Sequence, residues 1–119
     1  MADTACAAGA RRLIADPARL DRVESWLDSP NMWTRRAALV ITLPFTKSNH
    51  PTAEEAAIRE RVLGWAARLA PERDWFIQKA IGWWLRELAK HDAARVRAWL
   101  EAQGDTLKPF ARKEAAKYL

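Results

Sequence analysis

The chain has 119 residues, half of them hydrophobic, with only four glycines and as many as seven tryptophans. That length makes one small domain with a single modest core, and the scarcity of glycine suits an ordered, helix-rich globule. Lys plus Arg outnumber Asp plus Glu by 20 to 15, a formal charge of +5, which favours an anionic partner such as nucleic acid, although many solvated helical domains are equally basic.

Several classes fall away at once. Cys6 is the sole cysteine, so no internal disulfide can form and a reducing compartment is expected. The opening "MADTACAAGARRL" lacks the basic start and long apolar stretch of a secretory signal. The longest apolar run, "AALVITLPF", is far too short to span a bilayer. The expectation is a soluble intracellular protein.

Punctuation along the chain predicts helices only. After a short helix over 3–15, Asp16 followed by Pro17 reads as an N-cap with proline at the first helical position, opening a helix to about Leu27. "DSPN" breaks it, and Asn31 caps the next, which is expected to run to Pro44. "TKSNHP" is a loop. Thr52 with Glu55 makes a capping box for a helix reaching about Leu69. "APERD" turns the chain, Asp74 and Asp92 cap two more helices, Gly104 stops the second of these, and Pro109 starts the last. No stretch alternates with period two, so no sheet is predicted.

Three of these helices begin alike. "WTRRAA" (33–38), "FIQKAI" (76–81) and "FARKEA" (110–115) each read aromatic, two residues, a base, then a small or apolar pair. The steps, from 33 to 76 and from 76 to 110, fall in the range of HEAT-like repeats. Aromatic and basic residues abound in this chain, but three matches at helix starts favour a repeat over coincidence. Repeats of this kind stack into a curved solenoid whose equivalent helices line the concave side, so Arg36, Lys79 and Lys113 would recur along one surface. The first helices carry "VESWL", "VLGWAARL" and "VRAWL", which makes Trp26, Trp65 and Trp99 candidates for the core between repeats.

The adjacent pair in "FIQKAIGWWLREL" separates by helical phase. Lys79, Trp83, Arg86 and Lys90 stay within about 60° on one side, while Ile77, Ile81, Trp84 and Leu88 form an apolar stripe opposite. Trp84 is therefore the core residue. Trp83 lies among cations and has two readings: it offers its indole face to a base or sugar while the cations meet phosphates, or it packs on the neighbouring repeat inside a solvated rim. Trp33 starts its helix beside two arginines. Beyond Arg36 that helix is apolar nearly all round, so the guanidinium needs an anion, either a carboxylate of the fold or a phosphate.

Other chemistries lack their parts. His50 and His91 have no second His or Cys at ligand spacing, so no metal is expected. There is no glycine-rich phosphate loop, no Ser-His-Asp arrangement and no call for a cofactor. Glu87 and Glu101 stand where salt bridging to nearby bases is the default.

The segments "SPNMWTRRAALV", "DWFIQKAIGWWLRELAK" and "RKEAAKYL" resemble the AlkD-like DNA alkylation repair proteins, over essentially the whole chain from Asp3 onward. The resemblance implies an all-α fold, HEAT-like antiparallel helix pairs stacked as a short right-handed solenoid, with about three pairs in a single domain over 1–119. It also implies a DNA glycosylase that releases cationic alkylated purines, such as 3-methyladenine and 7-methylguanine, from duplex DNA without cofactor or metal, expected as a cytoplasmic monomer that is nucleoid-associated in a prokaryote.

By that resemblance Arg36 organises the site and binds the backbone, Trp83 packs on the lesion nucleoside, Arg86 meets phosphate, and Asp3 matches the family's essential aspartate. The catalytic set is thus Asp3, Arg36 and Trp83. The DNA-facing set is Arg35, Arg36, Lys79, Trp83, Arg86, Lys90 and Lys113. A carboxylate suits the chemistry because loss of a cationic base leaves oxocarbenium character on the sugar. The tryptophan that precedes the family's aspartate has no counterpart here, so the chain reads as the C-terminal half of such an enzyme. Alone it is expected to excise slowly or not at all. A non-catalytic helical-repeat module that binds DNA or protein is the alternative.

Overall fold

The computed structural model describes residues 18–47 and 49–119. Asp3, Cys6, the helix expected over 3–15 and the Asp16–Pro17 cap lie outside the described residues. Six helices follow in order: α1 (Ala18–Ser25), α2 (Met32–Ile41), α3 (Ala53–Leu69), α4 (Trp75–Ala89), α5 (Ala93–Gln103) and α6 (Pro109–Ala115). Among the described residues all regular structure is helical, and the protein is all-α.

The caps sit where side-chain chemistry dictates. Asn31 accepts from the Trp33 amide at 2.9 Å. Thr52 and Glu55 exchange bonds of 3.1 and 3.0 Å in a complete capping box. Asp74 accepts from the Phe76 and Ile77 amides, and Asp92 accepts from that of Arg95. Each satisfies amides that the first helical turn leaves without partners.

One boundary differs from expectation. Helix α2 stops at Ile41 rather than Pro44, and Leu43–Thr46 forms a tight 3-10 turn. Proline lacks the amide hydrogen that an α-helix running through it would need for the bond to the carbonyl four residues back. The Thr42 hydroxyl contributes by donating back to the Ala38 and Leu39 carbonyls at 3.1 and 2.9 Å.

Helix α4 is the centre of the fold, packed against α2, α5 and most extensively α6. Its Ile77, Ile81, Trp84, Leu85 and Leu88 are buried, each stabilising the fold by roughly 1.5–3 kcal/mol of transfer free energy. Gly82 lets α6 approach closely, since a Cβ there would stand only 2.9 Å from the Ala111 carbonyl oxygen.

Gln78, buried on the same helix, acts as a polar staple. Its amide donates to the carbonyls of Ala70 and Glu72 at 2.8 and 2.6 Å, and its oxygen accepts from the Lys108 amide at 2.9 Å. The turn before α4 and the start of α6 are thereby tied to one side chain.

The helices α1, α3 and α5 pair among themselves through a recurring device. In "RVLGW" (61–65) and "RVRAW" (95–99) the valine is buried and the arginine and tryptophan reach back to the preceding member. Trp65 Nε1 donates to Glu24 at 2.7 Å and Trp99 Nε1 to the Leu63 carbonyl at 3.0 Å. Arg61 pairs with Asp21 and Glu24, and Arg95 grips Glu60 through two bonds of 2.8 Å. Trp65 and Trp99 thus take the core positions expected of them, while Trp26 remains half-buried.

Candidate nucleic-acid interface

The helices α2, α4 and α6 start side by side, because the aromatics of their first turns touch in series. Trp33 meets Phe76 at 4.7 Å between ring centroids, Phe76 meets Trp75 edge-on at 5.1 Å, and Trp75 stacks on Phe110 at 5.9 Å. All four rings are exposed, by 54% for Trp33, 48% for Trp75, 39% for Phe76 and 38% for Phe110. Trp75 escaped the sequence reading altogether. The available signal was its place in the first turn beside the cap Asp74, off the apolar stripe of α4.

One turn further along each helix stands the recurring base. Arg36 lies 5.9 Å from the Trp33 ring centroid and Lys79 Nζ lies 4.7 Å from that of Trp75. Lys113 is exposed on α6. None of the three has a carboxylate partner among the described residues, and the buried Arg36 Nε has no hydrogen-bond partner among them.

The other expected bases are differently placed. Arg35 is committed to Glu72 at 2.9 Å and to the Ser29 carbonyl at 2.8 Å. Arg86 bridges Glu114 on α6 and Glu87 on its own helix, and Lys90 pairs with Glu87 at 2.8 Å. Of the stripe around Trp83, Arg86 and Lys90 are therefore paired with Glu87, the salt bridging expected of that residue, while Lys79 has no carboxylate partner among the described residues. The reason for the pairing is that their own helix supplies an acid within reach of both bases.

Trp83 is half-buried, and its indole nitrogen donates to Glu87 Oε1 at 3.3 Å. It helps line a cleft of about 470 Å³ between α4 and α6, walled by Trp75, Lys79, Trp83, Arg86, Phe110, Ala111 and Glu114. Burial pushes the Glu87 carboxyl up, but the bonds from Lys90 and Trp83 and the charges of Lys90 and Arg86 outweigh this and hold it below its ordinary range. The cleft offers the π faces of Trp75, Trp83 and Phe110, which attract a flat cation, with Lys79, Arg86 and the carboxylate of Glu114 on its walls.

Asp3, the remaining expected site residue, lies outside the described residues. Among them no group of three or more His, Cys, Asp or Glu is placed to hold a metal ion, and no helix is long and apolar enough to cross a membrane.

No curated protein shows a significant match to this sequence. A family model described as DNA alkylation repair enzyme matches residues 1–119, in accord with the resemblance carried by the segments around Arg36 and Trp83. The chain belongs to the DNA alkylation repair enzyme family.

Proposed function

We propose that this chain carries the lesion-facing part of a DNA glycosylase that excises cationic alkylated purines, such as 3-methyladenine and 7-methylguanine, from duplex DNA. The observation that carries the reading is the set Arg36, Lys79 and Lys113. These are three bases at matching helix positions with no carboxylate partner among the described residues, and Lys79 walls the cleft that holds the indoles of Trp75 and Trp83. The free bases meet phosphates in succession, a sequence-independent grip. The π faces of Trp83 and Trp75 favour a base that alkylation has made cationic. Such a base leaves readily, so the protein need only steady the positive sugar, the role assigned to Asp3. HEAT-like stacking of the helix pairs would set the three bases along one concave wall.

The test is release of free alkylbase from methylated duplex DNA, by the chain and by versions extended at its N-terminus. Excision should appear or rise on extension, and fall by about two orders of magnitude or more in Asp3→Asn and Trp83→Ala, the scale of a lost stabilising group. Full activity in Asp3→Asn would reject that carboxylate.

A second reading is a non-catalytic DNA-binding module. It is favoured by the commitment of Glu114, the carboxylate on the cleft wall, to an ion pair with Arg86, and of Glu87, which accepts from Trp83, to Lys90 and Arg86. Absence of excision by every version, with salt-sensitive duplex binding intact, would establish it.

A further inference from the structure

We propose that the aromatic row Trp33–Phe76–Trp75–Phe110 is a stacking platform for unpaired DNA bases, so that the protein engages a locally single-stranded stretch next to the Trp83 cleft. The inference rests on the reading of this face as DNA-binding and extends it to the strand form recognised.

The row is continuous, with ring contacts of 4.7, 5.1 and 5.9 Å across the starts of three helices. Four large rings between 38% and 54% exposed form an apolar patch that signals a partner. Intact duplex cannot be that partner, since its base faces are covered by their neighbours and its surface is phosphate, sugar and groove edges. Only unpaired bases present free π faces, and these stack on exposed aromatics whatever their sequence.

Charge separates this partner from an apolar protein segment. Lys79 sits 4.7 Å over Trp75 and Arg36 5.9 Å from Trp33, so cations edge the row at the interval of the helices. Flat faces strung on a polyanion match that pattern. Asp74 at the start of α4 is occupied with the Phe76 and Ile77 amides. Because the rings already touch one another, bases lie across the row rather than between its members. Trp75 and Phe110 also wall the cleft, so the platform leads into it.

The experiment compares a short labelled oligothymidylate with an abasic strand of the same length, which keeps the phosphates and removes the bases. Oligothymidylate should bind at least about tenfold more tightly, and the double variant Trp33→Ala/Phe76→Ala should lose about tenfold or more of that affinity. Trp33→Phe, which keeps a ring at the site, should retain most of it, and circular dichroism confirms that each variant is folded. Equal binding of the two strands, or no loss in the folded double variant, overturns the platform. Duplex excision is measured separately. Its absence with the oligothymidylate preference intact removes the glycosylase and leaves this inference standing, and the reverse result removes only this inference.

Discussion

Trp83 and Trp84 are consecutive on α4 and occupy opposite environments. Trp84 is completely buried and its indole nitrogen donates to Thr42 Oγ1 of the α2 terminus at 3.2 Å, whereas Trp83 stands half-buried at the cleft with its nitrogen on Glu87. Trp84→Ala should cost roughly 3–5 kcal/mol, from lost transfer energy and the cavity left behind. Trp83→Ala should cost markedly less while weakening DNA binding. Urea denaturation of the two variants decides the matter, and equal losses would place Trp83 in the core.

Two glycines on neighbouring helices should respond oppositely to alanine. At Gly82 a Cβ would meet the Ala111 carbonyl oxygen at 2.9 Å and its Cα at 3.3 Å, both backbone atoms that cannot turn aside. Overpacking of about 1–3 kcal/mol should exceed the roughly 1 kcal/mol gained in helix propensity, so Gly82→Ala lowers stability. At Gly64 nothing lies within 4 Å of the added methyl, and Gly64→Ala should stabilise by up to about 1 kcal/mol. Thermal melts that rank the variants the other way would contradict the α4–α6 packing.

Arg36 should be worth more to binding than to folding. Its Nε has no hydrogen-bond partner among the described residues, and its guanidinium carbon lies 5.9 Å from the Trp33 ring centroid. Arg36→Met keeps the aliphatic bulk, removes an unpaired charge and forfeits a cation–π contact worth about 0.5–1 kcal/mol, so stability should change by no more than about 1 kcal/mol. Duplex binding should weaken, and its logarithmic salt slope should fall by about 0.9 for the lost phosphate contact. An unaltered slope would detach Arg36 from the phosphates.

Acid should destabilise the fold through three carboxylates. Glu24 is held below its ordinary range by bonds from Arg61 and Trp65, Glu60 by those from Arg95, and Glu87 by Lys90 and Trp83 against the opposing effect of burial. Groups lowered by folding contribute stability that is fully present above the unfolded pKa of about 4.3 and lost as pH falls through the folded values. Melting temperature should therefore drop on acidification below that point, with a shallower fall in Glu60→Gln and Glu87→Gln. A melting temperature that holds or rises there would contradict these ion pairs.

What the sequence settled by itself was whatever depends on neighbours within a turn or two. The caps at Asn31, Thr52, Asp74 and Asp92 were readable because a short polar side chain can reach only its own helix start. The opposed faces of Trp83 and Trp84 followed from helical phase. The recurring aromatic-and-base starts pointed to Arg36, Lys79 and Lys113 as one set, because repetition along a chain needs no coordinates to be seen.

Tertiary structure decided which of the bases are available. Arg35 and Arg86 look no different in sequence from Arg36, yet Glu72 and Glu114 reach them across other elements, and only packing brings such carboxylates within range. Gln78 lies beside the apolar stripe of α4 and nothing in helical phase singles it out, so its role appeared only when Ala70, Glu72 and Lys108 converged on it. The same convergence sets Phe110 beside Trp75. Whether a side chain is buried, paired or free depends on what arrives from distant parts of the chain, and that is fixed by how the helices pack.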